Sequence, residues 1–283
     1  MFFGLTEEQE MIVETVRSFV ENEVYPHENL VESKGFVPTE IANEIKQKCI
    51  NLGFYACNFP EEVGGAGLNH LDFALVEREL GRGSMALTHF FGRPQNILMA
   101  CKGEQIENYL LPAVRGEKMD ALAMTEPDAG SDVRGMKCFA KRDGTDWIVN
   151  GTKHFISGAE HADFVIVFIA TGEENTEKGP KKKITAFLVD RGTQGFTIRD
   201  GYNSVSHKGY KNMILEFDDC RLPKEQILGE IDGGFAVMNT WLYATRLTVA
   251  AMSVGRARRC FDYALSYSAC LLYTSDAADD LTR

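Results

Sequence analysis

Three short stretches of this sequence combine residue types that can hold a ligand. The first, Ala121 to Asp132, reads Ala-Leu-Ala-Met-Thr-Glu-Pro-Asp-Ala-Gly-Ser-Asp. Its first half is apolar enough to end a buried strand, and its second half gathers turn formers, hydroxyls, carboxylates and free backbone N–H donors. The same residues also make a well-formed turn, shaped by Pro127 and Gly130 and capped by Asp132. The second stretch, Gly151 to Gly158, directly follows a strand ending at Asn150. It offers Phe155 as a flat apolar face and Ser157 as a short donor or acceptor, although Phe155 and Ile156 would serve equally as sheet core. The third is Trp241-Leu-Tyr-Ala-Thr-Arg246. A separation of three puts Tyr243 and Arg246 on one helical face.

These stretches need elements to position them. Met11, Ile12, Thr15, Val16, Phe19 and Val20 recur at helical spacing behind a Thr6/Gln9 capping box, with Pro26 expected after the helix end. Ile41, Ile45, Cys49 and Leu52 predict a second helix ending at Gly53, and Leu71, Ala74, Leu75 and Arg78 a third ending at Gly81. Further helical patterns run from Ser84 to about Cys101 and from Glu104 to Val114. The period then changes. Met136 to Arg142 and Trp147 to Asn150 flank an Asp143-Gly144-Thr145 turn, and Phe164 to Ala170, Ile184 to Val189, Phe196 to Ile198 and Ile214 to Phe217 read as further strands. From Gly234 the helical period returns, with Leu247, Ala250, Ala251, Val254, Ala257, Phe261 and Leu265 on one broad face.

The predicted class is α+β. An N-terminal all-α domain (1–117) leads to a middle antiparallel β-domain, sandwich-like or barrel-like (118–229), and then to the opening helix of a C-terminal α-helical bundle (230–269). The tail 270–283 breaks the pattern. It resembles the translation of a transposase-type sequencing adapter and is set aside from the fold, the alternative being a genuine short amphipathic end.

Composition bounds the function. The 283 residues are 44% hydrophobic with a formal charge of −11, which argues against a nucleic-acid partner. Seven scattered cysteines show neither metal-ligand spacing nor a disulfide framework, so reduced thiols in a cytoplasmic setting are expected, with no metal. No signal peptide opens the sequence, and its longest purely apolar run, Phe164 to Ala170, is too short for a membrane span. His154 and His161 lack a nucleophile to pair with and read as surface or satisfied histidines. Gly64-Gly65-Ala66-Gly67 fits neither phosphate-binding glycine motif and reads as a loop; Lys181-Lys182-Lys183 reads as a solvated strand connection.

Met124-Thr-Glu-Pro-Asp-Ala-Gly-Ser-Asp132 closely resembles the flavin-binding signature of the acyl-CoA dehydrogenases. Gly103 to Pro112, Asn150-Gly-Thr-Lys153, Phe217-Asp-Asp-Cys-Arg-Leu-Pro223 and Ile227-Leu-Gly-Glu230 resemble that family in its own order. The resemblance implies FAD held by Leu122, Met124, Thr125, Gly130, Ser131, Phe155, Ile156 and Ser157, with Phe155 and Ser157 standing where members carry Trp and Thr. It implies an acyl-CoA substrate touched by Ser131, Tyr243 and Arg246. It also implies an electron-transfer flavoprotein-type acceptor, a homo-oligomeric parent, and a catalytic carboxylate beyond Ala269, so that the chain as written would be nearly inactive and its last helix uncovered. Val205-Ser-His-Lys-Gly209 departs from the usual Gly-x-Arg-Gly. An enoyl-CoA reductase, an acyl-CoA oxidase and a non-catalytic truncated scaffold are the alternatives.

Overall fold

A computed structural model describes residues 4–177 and 179–270. The stretch from 271 onward, most of the tail set aside above, lies outside the described residues.

Helix α1 (Glu7–Phe19) opens with the expected capping box, the Thr6 hydroxyl accepting from Gln9 N–H and the Gln9 side chain returning the bond. It does not stop before Pro26. A π-turn, Val20–Val24, carries the chain into α2 (Tyr25–Lys34), and Pro26 falls in the first turn of α2, where its missing N–H is not needed. Helix α3 (Thr39–Asn51) ends before Gly53, whose φ is +74°, and α4 (His70–Leu80) is capped by the Asn69 side chain. Leu52 and Leu71, expected in the core, are about half exposed; the buried face of α4 is instead Leu75, Val76, Glu77, Glu79 and Leu80.

The single helix expected from Ser84 to Cys101 is broken. Helix α5 (Met85–Thr88) runs into a 3₁₀ turn at His89–Phe91, and a second turn at Asn96–Ala100 follows. Gly92 sits at φ +81° and Pro94 cannot donate to a helix, so Gly92-Arg93-Pro94 becomes a bend. The next helical stretch contains a π-turn, Ile106–Leu110, before α6 (Leu111–Val114).

Eight strands follow: β1 (Asp120–Ala123), β2 (Phe139–Asp143), β3 (Asp146–Ser157), β4 (Phe164–Thr176), β5 (Gly179–Asp190), β6 (Phe196–Tyr202), β7 (Asn212–Leu222) and β8 (Ile227–Leu228). Their order is β6-β7-β3-β2-β4-β5-β8, with β1 pairing β4. The sheet is antiparallel except that β1 and β2 both lie parallel to β4. Lys181, Lys182 and Lys183 lie within β5, not in a connection; the first two face Glu174 and Glu173 across the ladder at 3.0 and 2.8 Å, a same-face pairing of opposite charges.

Alternation along β4 divides the interior in two. Phe164, Ile166, Phe168 and Ala170 pack toward the helices, whereas Val165, Val167 and Ile169 enter a second core with Trp147, Val149, Phe187, Leu215 and Phe217. Both faces of the strand are therefore buried, which explains its continuous apolar run.

Helix α7 (Gly234–Cys270) crosses α4 closely. A Cβ on Gly255 would overlap the Arg78 carbonyl oxygen, and one on Gly81 would overlap the Met252 carbonyl oxygen. Its buried side is Gly234, Met238, Met252 and Gly255, while Leu247, Val254, Phe261 and Leu265 of the expected apolar face stand exposed. No helix among the described residues is long and apolar enough to cross a membrane.

Candidate functional site

A cleft of about 460 Å³ opens where the N-terminal helices, the β-domain and α7 meet. Leu122, Met124 and Thr125 line it from β1 and the loop beyond, and Phe155, Ile156 and Ser157 line it from the end of β3. Trp241, Ala244 and Thr245 of α7 face them. Two segments separated by about thirty residues of sequence thus share one groove, and the physical cause is a set of directed bonds between them.

The main chain joins them first, His154 N–H donating to Thr125 O at 2.8 Å. Lys153 then reaches through the sheet: its Nζ donates to Met124 O at 3.1 Å and to Glu126 Oε1 at 2.7 Å. Both side chains are buried. Glu126 also accepts the Lys137 and Cys138 N–H groups, so its negative charge is fully engaged. A carboxylate in the loop and an ammonium on the strand are each satisfied only when the loop lies against β3.

The end of β3 is irregular. Between Lys153 and Ile156 its pairing with β7 shifts register, and Phe155 takes φ +58°. For a bulky residue this left-handed conformation is strained, and strain of this kind collects at ligand sites. The bulge turns the Phe155 ring outward, 54% exposed and stacked on Tyr202 with ring centres 4.4 Å apart. Ser157 donates to Asn212 Oδ1 at 2.9 Å across the sheet. His154 Nδ1 meets the Tyr202 hydroxyl at 2.7 Å, a satisfied surface role as expected.

Other predicted residues lie apart. Gly130 and Ser131 are exposed on their loop and do not line the cleft. That loop reaches α7 through Arg134, whose guanidinium lies 4.2 Å over the Phe235 ring. Tyr243 and Arg246 share an outward face of α7, the guanidinium 5.9 Å from the ring centre, with Tyr243 70% exposed. The cleft and these exposed groups are distinct surfaces.

The helical wall of the cleft was not anticipated. It contributes Asn58, Glu77, His89, Arg93, Gln95 and Asn96. Arg93 Nε lies 3.3 Å from Glu77 Oε1, close enough for charge attraction but off hydrogen-bond alignment, and burial pushes the Glu77 carboxyl above the usual range. Burial also holds His89 neutral, its pKa lowered to about 3. Asp120, at the start of β1, is raised to about 7 by burial, opposed by a hydrogen bond from Gln95 N–H at 3.2 Å. Gln95 Oε1 accepts from Trp241 Nε1, so one residue joins β1, through its backbone N–H, to α7, through its side chain.

A flavin fits these features: hydroxyls at Thr125 and Ser157, a displayed aromatic face at Phe155, and a groove walled by apolar Leu122, Ile156 and Ala244. Among the described residues no cluster of His, Cys, Asp or Glu could hold a metal ion, and all seven cysteines are unpaired.

Comparison with known proteins points the same way. The chain matches family profiles described as acyl-CoA dehydrogenase N-terminal domain over residues 6–117, middle domain over 121–220 and C-terminal domain over 232–270. It is 34% identical over 270 residues to human "Short-chain specific acyl-CoA dehydrogenase, mitochondrial", covering 93% of this chain and 63% of that protein. It is 33% identical over 273 residues to "3-(aryl)acrylate reductase" of Clostridium sporogenes, covering 95% and 70%. A glutaryl-CoA dehydrogenase from Mycobacterium smegmatis solved in complex with FADH2 superposes with a TM-score of 0.82 at 27% identity, covering 96% of this chain and 68% of the other. The chain thus spans about two thirds of the length of these proteins, and with the same three segments in the same order it belongs to the acyl-CoA dehydrogenase family.

Proposed function

We propose that the protein of which this chain forms the greater part is an FAD-dependent acyl-CoA dehydrogenase, oxidising the Cα–Cβ bond of an acyl thioester. The observation that carries this reading is the meeting of Thr125 and Ser157 in one cleft, with Phe155 displayed beside them by a strained bulge. When bound there, a flavin supplies a two-electron hydride acceptor. Thr125 and its neighbouring amides would hold the ring edge that gains charge on reduction, Ser157 would orient its other side, and Phe155 and Ile156 would cover one face. Leu122 and Met124 add apolar contact. The exposed Ser131, Tyr243 and Arg246 suit the polar coenzyme A handle, which extends beyond the acyl group into solvent, and Gly130 beside Ser131 stays with the flavin loop.

Thr245 lines the cleft and offers no base; following the family resemblance, proton removal is assigned to a carboxylate beyond Ala269. The same reading carries an electron-transfer flavoprotein-type acceptor and a homo-oligomeric state for the whole protein. Its test is anaerobic addition of butyryl-CoA to the FAD-loaded whole protein. Loss of the oxidised flavin's visible band supports dehydrogenation, and an unchanged band with every acyl-CoA tried contradicts it. The name of the clostridial relative favours a second reading, reduction of an enoyl thioester. A return of the oxidised band when crotonyl-CoA meets the reduced protein, without bleaching by the saturated substrate, would identify that direction.

A further inference from the structure

The helical wall of the cleft carries an excess of unpaired polar groups. Glu77 Oε1 and Oε2, Asn58 Oδ1, Asn96 Oδ1, Arg93 Nη1 and His89 Nε2 are buried and have no hydrogen-bond partner among the described residues. Five side chains that line one cavity share this condition, and Glu77 is wholly buried. Buried polar groups are nearly always paired, because each unmade bond forfeits the water it left behind. A plain alkyl chain placed here would leave all six atoms without a hydrogen bond.

We propose that this wall recognises an acyl tail ending in an uncharged hydrogen-bonding group, a hydroxyl above all, and discriminates against a plain alkyl tail. The inference rests on the acyl-CoA reading above and adds the chemical class of the acyl group.

Charge selects the neutral group. Glu77 and Arg93 already offset one another at 3.3 Å. A carboxylate tail would be set against Glu77 and Asp120, two carboxyls whose burial already disfavours negative charge in the same cleft, while an ammonium would face Arg93. Hydrogen-bond count selects a donor. Four of the six orphaned atoms are carboxyl or amide oxygens, of which at least three only accept, Arg93 Nη1 only donates, and neutral His89 does either according to its tautomer. A hydroxyl gives one proton to an oxygen and accepts from Arg93, whereas a ketone or ether would leave every oxygen unpaired. Phe73, Met85 and Met252 supply apolar wall for the methylenes that lead to it.

The experiment is calorimetric titration of the FAD-loaded whole protein with butyryl-CoA, 4-hydroxybutyryl-CoA, hexanoyl-CoA, 6-hydroxyhexanoyl-CoA, adipoyl-CoA and 6-aminohexanoyl-CoA. A hydroxyl-tailed ligand is expected to bind about ten-fold tighter than its alkyl counterpart at one of the two lengths, and tighter than the acid or the amine. Arg93→Met and Glu77→Gln should each reduce that preference to within about two-fold while leaving FAD affinity unchanged. The comparison on the unaltered chain stands even if a variant fails to fold. Alkyl tails binding as well as or better than hydroxyl tails overturn the inference and leave the acyl-CoA reading intact. A preference for the acid or the amine, or loss of FAD affinity in the variants equal to their loss of hydroxyacyl affinity, overturns it as well. Failure of the whole protein to bind FAD or any of these thioesters overturns the acyl-CoA reading and this inference together.

Discussion

The Lys153 ammonium lies 2.7 Å from Glu126 Oε1, and neither side chain reaches solvent. This pair fastens the loop after β1 to β3, and with it Thr125 to the strand that presents Phe155 and Ser157. Removing one partner strands a buried charge. Lys153→Met should cost about 3–5 kcal/mol in urea unfolding, and replacing both residues with apolar ones of similar volume should cost less than either single change. FAD affinity should fall in the single variant even at temperatures where it stays folded.

Phe155 combines backbone strain with an exposed ring. Phe155→Gly relieves a left-handed conformation, worth about 1–3 kcal/mol, against roughly 1 kcal/mol of added chain entropy. Stability should therefore be unchanged or slightly raised, while flavin affinity drops because the aromatic face is gone. Thermal unfolding and flavin fluorescence quenching, measured on the same samples, separate the two effects. A variant that loses stability while keeping flavin affinity would show that the bulge serves the fold instead.

Asp120 sets a pH dependence. Burial raises its carboxyl from 3.8 to about 7, so below pH 3.8 both folded and unfolded states hold the proton and no penalty exists. As pH rises the unfolded chain ionises first, and stability is lost until about pH 7, where the folded carboxyl ionises too; the total loss is roughly 4 kcal/mol. Buried His89 acts in the opposite sense, gaining stability as pH rises from about 3 to 6.5, because only the unfolded ring is charged there. Asp120→Asn should thus unmask a rise in stability between about pH 4 and 6.5. The measurement is the difference in urea midpoint between wild type and variant across that range, and a difference independent of pH would contradict it.

The crossing of α4 and α7 tolerates no side chain at its contact. Gly255→Ala and Gly81→Ala each place a methyl group on a backbone carbonyl, and each should cost about 3 kcal/mol or more. Because Met252, one turn from Gly255, also lines the cleft, acyl-CoA affinity should fall with stability. Combined thermal unfolding and ligand titration would detect both.

Much of the architecture was legible because it depends on local signals. The Thr6/Gln9 box and the Gly144 turn act over a few residues, and the structure keeps them; the strand expected to end at Asn150 instead runs on through Gly151 to Ser157. The break at Gly92-Arg93-Pro94 was also written in the sequence, as two helix breakers around an arginine, but the apolar residues on either side masked it. The buried pair left a fainter trace: Lys153 falls on the inward register of β3, with Trp147 and Val149, where an ammonium has no place without a partner. Its partner Glu126 could not be chosen from sequence, since the choice depends on a loop folding back across the sheet. The polar wall of Glu77, His89 and Arg93 was hidden for the same reason. Glu77 shares α4 with residues that face solvent, and only the bend at Gly92 brings Arg93 to it.

The central claim is that the Thr125 and Ser157 segments together grip a flavin. Equilibrium titration of the purified chain with FAD, following the visible band and its fluorescence, tests it most directly when run beside a Thr125→Val, Ser157→Ala double variant. Saturable binding by the unaltered chain, weakened about ten-fold or more in a variant that keeps its unfolding midpoint, is the predicted result. Equal binding by both proteins, or no binding by the unaltered chain, would contradict the account.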